Sequence, residues 1–196
     1  MPKREPVALE AHALENLRYI RGAMERAGSF TAVPGLGGVL MGSTAVAAAW
    51  IAGAQRSAGR WLAVWMVEAG LALALGILAA FFKSRRLKVP LLSGPARKFV
   101  AGFVPAMLAG GVLTAGLWHA GMHALLPGVW LLLYGAAVVS AGENSVRVVW
   151  LMGVCFMAAG TAAVMLPAVW GNVVLAAGFG GLHILFGTVI AVKYGG

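Results

Sequence analysis

Six long apolar stretches dominate the chain, at about 36–54, 61–82, 99–119, 126–142, 147–166 and 168–192. Each is close to the ~20 residues that an α-helix needs to cross the hydrocarbon of a bilayer. No charged residue lies between Pro34 and Arg56, Glu68 alone interrupts the second stretch, and the last is uncharged until Lys193. Period-two alternation is absent and the runs are too long for barrel strands, so the pattern predicts membrane-spanning helices. Ahead of them, Leu14, Leu17, Ile20 and Met24 recur at three- and four-residue intervals, while Glu15, Arg18, Glu25 and Arg26 project elsewhere. That periodicity predicts an amphipathic helix lying in the membrane interface, stopped near Gly28 and followed by an elbow containing Pro34. The expected organisation is all-α. Residues 1–34 form the interfacial helix and elbow, and residues 35–196 a six-helix transmembrane bundle.

Composition agrees with this picture. Of 196 residues, 61% are hydrophobic and 11% charged, against roughly 25% charged in soluble domains, so a self-sufficient polar surface cannot be built. The formal charge of +9 is a topology signal. Thirteen of the fifteen basic residues flank the ends of the spans on one side, and only Arg56 and Arg60 fall on the other. The positive-inside rule then places both termini in the cytoplasm and removes the case for nucleic acid. One cysteine, Cys155, excludes an intrachain disulfide and a cysteine-cluster zinc site. Trp50, Trp61, Trp65, Trp118, Trp130 and Trp170 lie near the ends opposite the basic loops, where indoles anchor at headgroups. Leu126-Pro127-Gly128-Val129-Trp130 returns as Leu166-Pro167-Ala168-Val169-Trp170, which hints at repeated hairpins.

Candidate chemistry sits on small-residue faces. Helices in lipid pack through small side chains, and Gly102, Ala106, Gly110 and Thr114 form one i, i+4 seam in the third span. Glu68, Ala72, Gly76 and Ala80 share a face of the second span, and Ala176, Gly180, His183 and Gly187 one of the sixth. Glu68 and His183 should therefore turn inward. Ionisable residues so placed mark ion or proton pathways. The competing accounts are a protonated Glu68 bonded to a neighbour and a His183 that bridges two helices. His119 and His123 are four residues apart and form a weak candidate metal pair. A nucleophile–base pair, a phosphate loop and a dinucleotide fingerprint are not evident from spacing, so the chain reads as more transporter than enzyme, and no cofactor is specified.

Leu14–Arg21, Ser29–Gly35, and the run from His183 through Gly187 to Tyr194-Gly195-Gly196 resemble a group of uncharacterised bacterial polytopic membrane proteins. The resemblance implies a bacterial inner membrane and carries no activity, ligand or site residue. Three functions remain open at this point. The first is a proton-linked transporter of a small solute or ion using Glu68 and His183. The second is a non-transporting subunit or sensor holding a cytosolic partner, or a second copy, through residues 7–27. The third is a redox protein holding haem or quinone near His183.

Overall fold

The computed structural model describes residues 15–17, 34–87, 93–143 and 145–194. The predicted interfacial helix therefore lies almost wholly outside the described residues, apart from a helical Glu15–Leu17. The described residues are helical without strands. Six helices are long and apolar enough to cross a membrane: α1 Gly35–Gly53, α2 Ala58–Arg86, α3 Gly94–His119, α4 His123–Gly142, α5 Arg147–Met165 and α6 Ala168–Tyr194. They follow the expected stretches, with α2 and α3 reaching several residues further towards the connection between them and carrying Lys83, Arg85, Arg86, Arg97 and Lys98 at those ends. That end of the bundle is called the basic end below and the opposite one the tryptophan end.

Close backbone approach organises the bundle. Along α4 the glycines Gly128, Gly135 and Gly142 recur every seven residues, and along α5 Gly153 and Gly160 do the same. A Cβ on Gly135 would lie 2.7 Å from the Met157 amide nitrogen and 2.8 Å from the Gly153 carbonyl oxygen, and one on Gly160 would lie 2.6 Å from the Leu132 nitrogen. The two helices are antiparallel, with Gly128 level with Gly160 and Gly142 against Trp150. A seven-residue repeat holds the seam in register as the helices coil about one another.

The first and sixth helices repeat the device. Gly35 and Gly42 of α1 face Gly187 and Gly180 of α6, again seven apart and antiparallel. A Cβ on Gly42 would lie 2.6 Å from the Gly180 carbonyl, and one on Gly187 2.7 Å from the Val39 nitrogen. The sequence pattern pointed to i, i+4 seams; the tightest contacts are these i, i+7 ones, because a glycine must return to the same face after two whole turns. The two pairs join where Gly178 meets Leu131 and Gly171 meets Pro127. Pro127 belongs to the first Leu-Pro motif and Gly171 directly follows the second. The repeat is not kept in the packing, since Trp130 turns inward while Trp170 is half exposed.

Helices α2 and α3 are peripheral. The second packs on α1, with Gly37 against Ala79 and Gly76 beside the Met41 sulfur. The third packs on α4 through Gly102 against Ser140 and Gly110 against Leu133, with Ala106 partly buried on the same face. Leu71, Leu73, Ile77, Leu78, Leu108 and Val112 remain exposed, a surface suited to apolar surroundings and not to water.

Glycines with and without neighbours give opposite expectations. Gly135→Val should destabilise by about 1–3 kcal/mol or more through overpacking. Gly111→Ala, with open space at its Cβ, should be neutral or stabilise by up to ~1 kcal/mol, since glycine is a poor helix residue. Thermal unfolding of the detergent-solubilised variants checks both.

Candidate functional site

Glu68 lies about a third of the way along α2 from the tryptophan end and is 7% exposed. Its carboxyl Oε1 is 2.8 Å from the Thr44 hydroxyl of α1, which is also 2.9 Å from the Met41 carbonyl. The hydroxyl has one proton to give. Directed to Met41, it leaves a lone pair facing Glu68, and a protonated carboxyl can donate to it. Directed to Glu68, it serves a carboxylate. The same pair of side chains accommodates both protonation states with only a hydroxyl rotation between them. Above the pair, a groove of about 470 Å³ opens sideways between α1 and α2, lined by Thr44, Ala48, Ile51, Val64, Glu68 and Leu71.

His183 is 5% exposed at the opposite side of α1, on α6. The preceding Ala176–Leu182 segment, rich in glycine, is wound as a π-helix. Such wide turns concentrate at functional or strained positions. His183 Nδ1 lies 2.8 Å from the Phe179 carbonyl four residues back, and Nε2 lies 2.7 Å from the Tyr134 hydroxyl of α4. A carbonyl only accepts, so Nδ1 carries the proton; in a neutral ring Nε2 then accepts from Tyr134. Both nitrogens are engaged. Phe156, wholly buried, crosses the ring at 5.1 Å, and Tyr134, Phe156, Phe179 and His183 form one close aromatic cluster. Iron at Nε2 would have to displace the Tyr134 hydroxyl from a space these rings fill.

The structure does not join Glu68 and His183. They share no hydrogen-bond partner; α1 links their surroundings, with Thr44 bonded to Glu68 and Gly42 packed against Gly180 and Ile184 of α6, and Trp65 meets Phe179 at 6.3 Å. Their depths are close, however. Gly38 sits level with Gly187 and Gly42 between Gly180 and Ile184, which puts Thr44 about three residues, ~4.5 Å, nearer the tryptophan end than His183.

Asn172 was not singled out by the sequence. Its Oδ1 accepts from the indoles of Trp61 and Trp65 at 3.2 Å each, and its Nδ2 donates to the Ala49 carbonyl at 2.6 Å. The partners fix the amide orientation, because indoles only donate. Trp61 stacks on Trp130 at 5.4 Å, and the Trp130 indole donates to Thr114 of α3 at 2.8 Å. Three tryptophans expected to anchor at an interface thus face inward and tie α1, α2, α3, α4 and α6 together; Trp65 is 3% exposed, whereas Trp50 is 83% exposed and fits the expected anchor. Indole placement follows available partners, and Asn172 supplies one inside.

The histidine pair does not form one helical face. Helix α3 ends at His119, and Gly121, at φ 72°, closes it with Met122 donating to the Leu117 carbonyl and Gly121 to that of Trp118. This left-handed glycine cap sends His123 into the next turn, where its ring lies 4.2 Å from Trp118. Among the described residues no group of three or more His, Cys, Asp or Glu side chains is arranged to hold a metal ion. Cys155 is partly buried in α5, and Glu143 is exposed at the basic end. Comparisons with family models, curated proteins and solved structures find no match to this chain.

Tyr134→Phe should destabilise by roughly 1–3 kcal/mol, because it leaves the buried Nε2 of His183 without its donor. Asn172→Leu, which strips two indoles and a carbonyl of their partner, should cost at least as much. Unfolding in detergent, with tryptophan emission followed for the second variant, measures both.

Proposed function

We propose that the chain is a multi-pass protein of a bacterial inner membrane, with both termini cytoplasmic, and that it is a transporter of a small solute or ion in which Glu68 exchanges a proton. The observation that carries this is the position of the carboxyl. It sits inside an apolar span, with the rotatable Thr44 hydroxyl as its hydrogen-bond partner, at the floor of a groove that opens to the side. A carboxyl group in apolar surroundings is expensive to keep charged, and a site that offers a proton or a cation at that point can cycle between two neutral states. Its lateral opening supports entry from the bilayer.

His183 supports the reading in a different role from the one its residue type first suggests. Its ring closes a bridge from α6 to Tyr134 of α4 across the π-helical turn. It ties the α1–α6 pair to the α4–α5 pair, and α2 packs on the outside of α1. The dry packing at this ring favours a second reading, a non-transporting subunit that engages a partner through residues 7–27 and the basic 83–98 loop.

Reconstituted into proteoliposomes with an imposed pH gradient, the wild-type chain should move protons with solute. Glu68→Gln should lose that coupling by at least tenfold while retaining its unfolding temperature within a few degrees. Unchanged coupling and stability in Glu68→Gln overturn the proposal, and loss of a bound partner on deleting residues 1–28, with no flux in either protein, supports the second reading.

A further inference from the structure

The lining of the groove narrows what the carboxyl can exchange its proton for. Thr44 and Glu68 are its only polar side chains; the remainder, including Ala47 and Ala63 at the rim, are aliphatic. No Lys or Arg lines it, so an anion finds no counter-charge. Sugars and other polyols find one hydroxyl and one carboxyl, too few to replace their hydration. A small metal cation asks for about six oxygen ligands, and two side chains do not provide them. What does match is one positive charge carried on an apolar body: the charge faces the carboxylate, and the body covers Ile51, Val64 and Leu71. The groove's ~470 Å³ falls within the ~300–1,000 Å³ usual for small-molecule sites. From Ile51 to Thr44 it runs seven residues, ~10 Å along α1.

We infer that the groove between α1 and α2 binds a monovalent lipophilic cation of the ammonium class in direct exchange for the Glu68 proton. This rests on the reading of Glu68 as a proton-exchanging group. The protonated carboxyl releases H⁺ to solvent as the quaternary nitrogen takes its place beside the carboxylate, so charge balances at one proton per cation and no covalent bond to the ligand forms. Neighbouring charges do not compete for the site. Helix α1 carries no ionisable residue; on α2 the flanking ones are Arg60, eight residues towards the tryptophan end, and Lys83, fifteen towards the basic end. On α6, His183 has both nitrogens bonded to Tyr134 and Phe179.

The test uses the full chain in nanodiscs and two probes of the same shape, benzyltrimethylammonium and the neutral neopentylbenzene. A quaternary ammonium has no proton of its own, so any pH dependence belongs to the protein. Titration calorimetry in buffers of different ionisation enthalpy should show one proton released per cation bound, with affinity rising up to tenfold per pH unit while the carboxyl starts protonated. Glu68→Gln should abolish cation binding and leave neopentylbenzene unaffected. Ala63→Phe, at an exposed rim position, should fill the groove and weaken both probes at least tenfold without touching the carboxyl, which guards against a misfolded Glu68→Gln. Equal binding of the two probes, cation binding retained in Glu68→Gln, or binding without proton release overturns the inference. Cation exchange without proton-coupled flux in vesicles leaves the inference standing and removes the transporter. Glu68-dependent flux without cation binding does the reverse.

Discussion

Two antiparallel helix pairs, α1 with α6 and α4 with α5, approach so closely that a single Cβ at Gly42, Gly135, Gly153 or Gly187 would collide with the backbone opposite. In apolar surroundings there is little hydrophobic gain from bringing helices together, so dispersion at close range has to hold them. A glycine every seventh residue supplies that range along the length of each seam. Everything else in the molecule is arranged relative to these two seams, including the inward aromatic residues that fill the space between the pairs.

Polar groups inside such a bundle need partners from the protein itself. Asn172, Trp61, Trp65, Trp130, Thr114, Tyr134 and His183 all have them, and together they lock five helices. Among the described residues no buried side-chain nitrogen or oxygen is left without a hydrogen bond. Glu68 differs from these in setting. Its bond to Thr44 survives either protonation state, and it borders open space, whereas His183 and Asn172 are clamped by geometry that leaves no room for exchange. That contrast sets Glu68 apart from the clamped polar groups of the same bundle.

The existence, order and approximate ends of the six helices were legible in the sequence, because an uninterrupted apolar run of the right length has few other uses. The inward placement of Glu68 and His183 followed from the small residues three and four positions away. The partners were not legible. Thr44 and Asn172 are single polar residues in apolar runs, and a reader alert to that class would have marked them; Tyr134 looked like any aromatic in a span. The tryptophans misled for a physical reason: indoles are stable both at an interface and against a buried acceptor, and their position along a helix does not distinguish the two. The i, i+4 spacing of small residues likewise concealed the seven-residue repeat, since both periods keep residues near one helical face over a few turns.

Composition and periodicity by themselves determined that this chain has six long apolar helices and that, among the described residues, all basic side chains but Arg56 and Arg60 lie at one set of helix ends, because length, hydropathy and charge are properties of each segment alone. Which helices pair, which turn of α6 widens into a π-helix, and which of two inward ionisable groups borders a cavity were decided only in the folded chain. Those are relations between segments remote in sequence: Gly42 with Gly180, Glu68 with Thr44, His183 with Tyr134. No local pattern encodes them. They arise when close packing in three dimensions leaves each polar group one available partner.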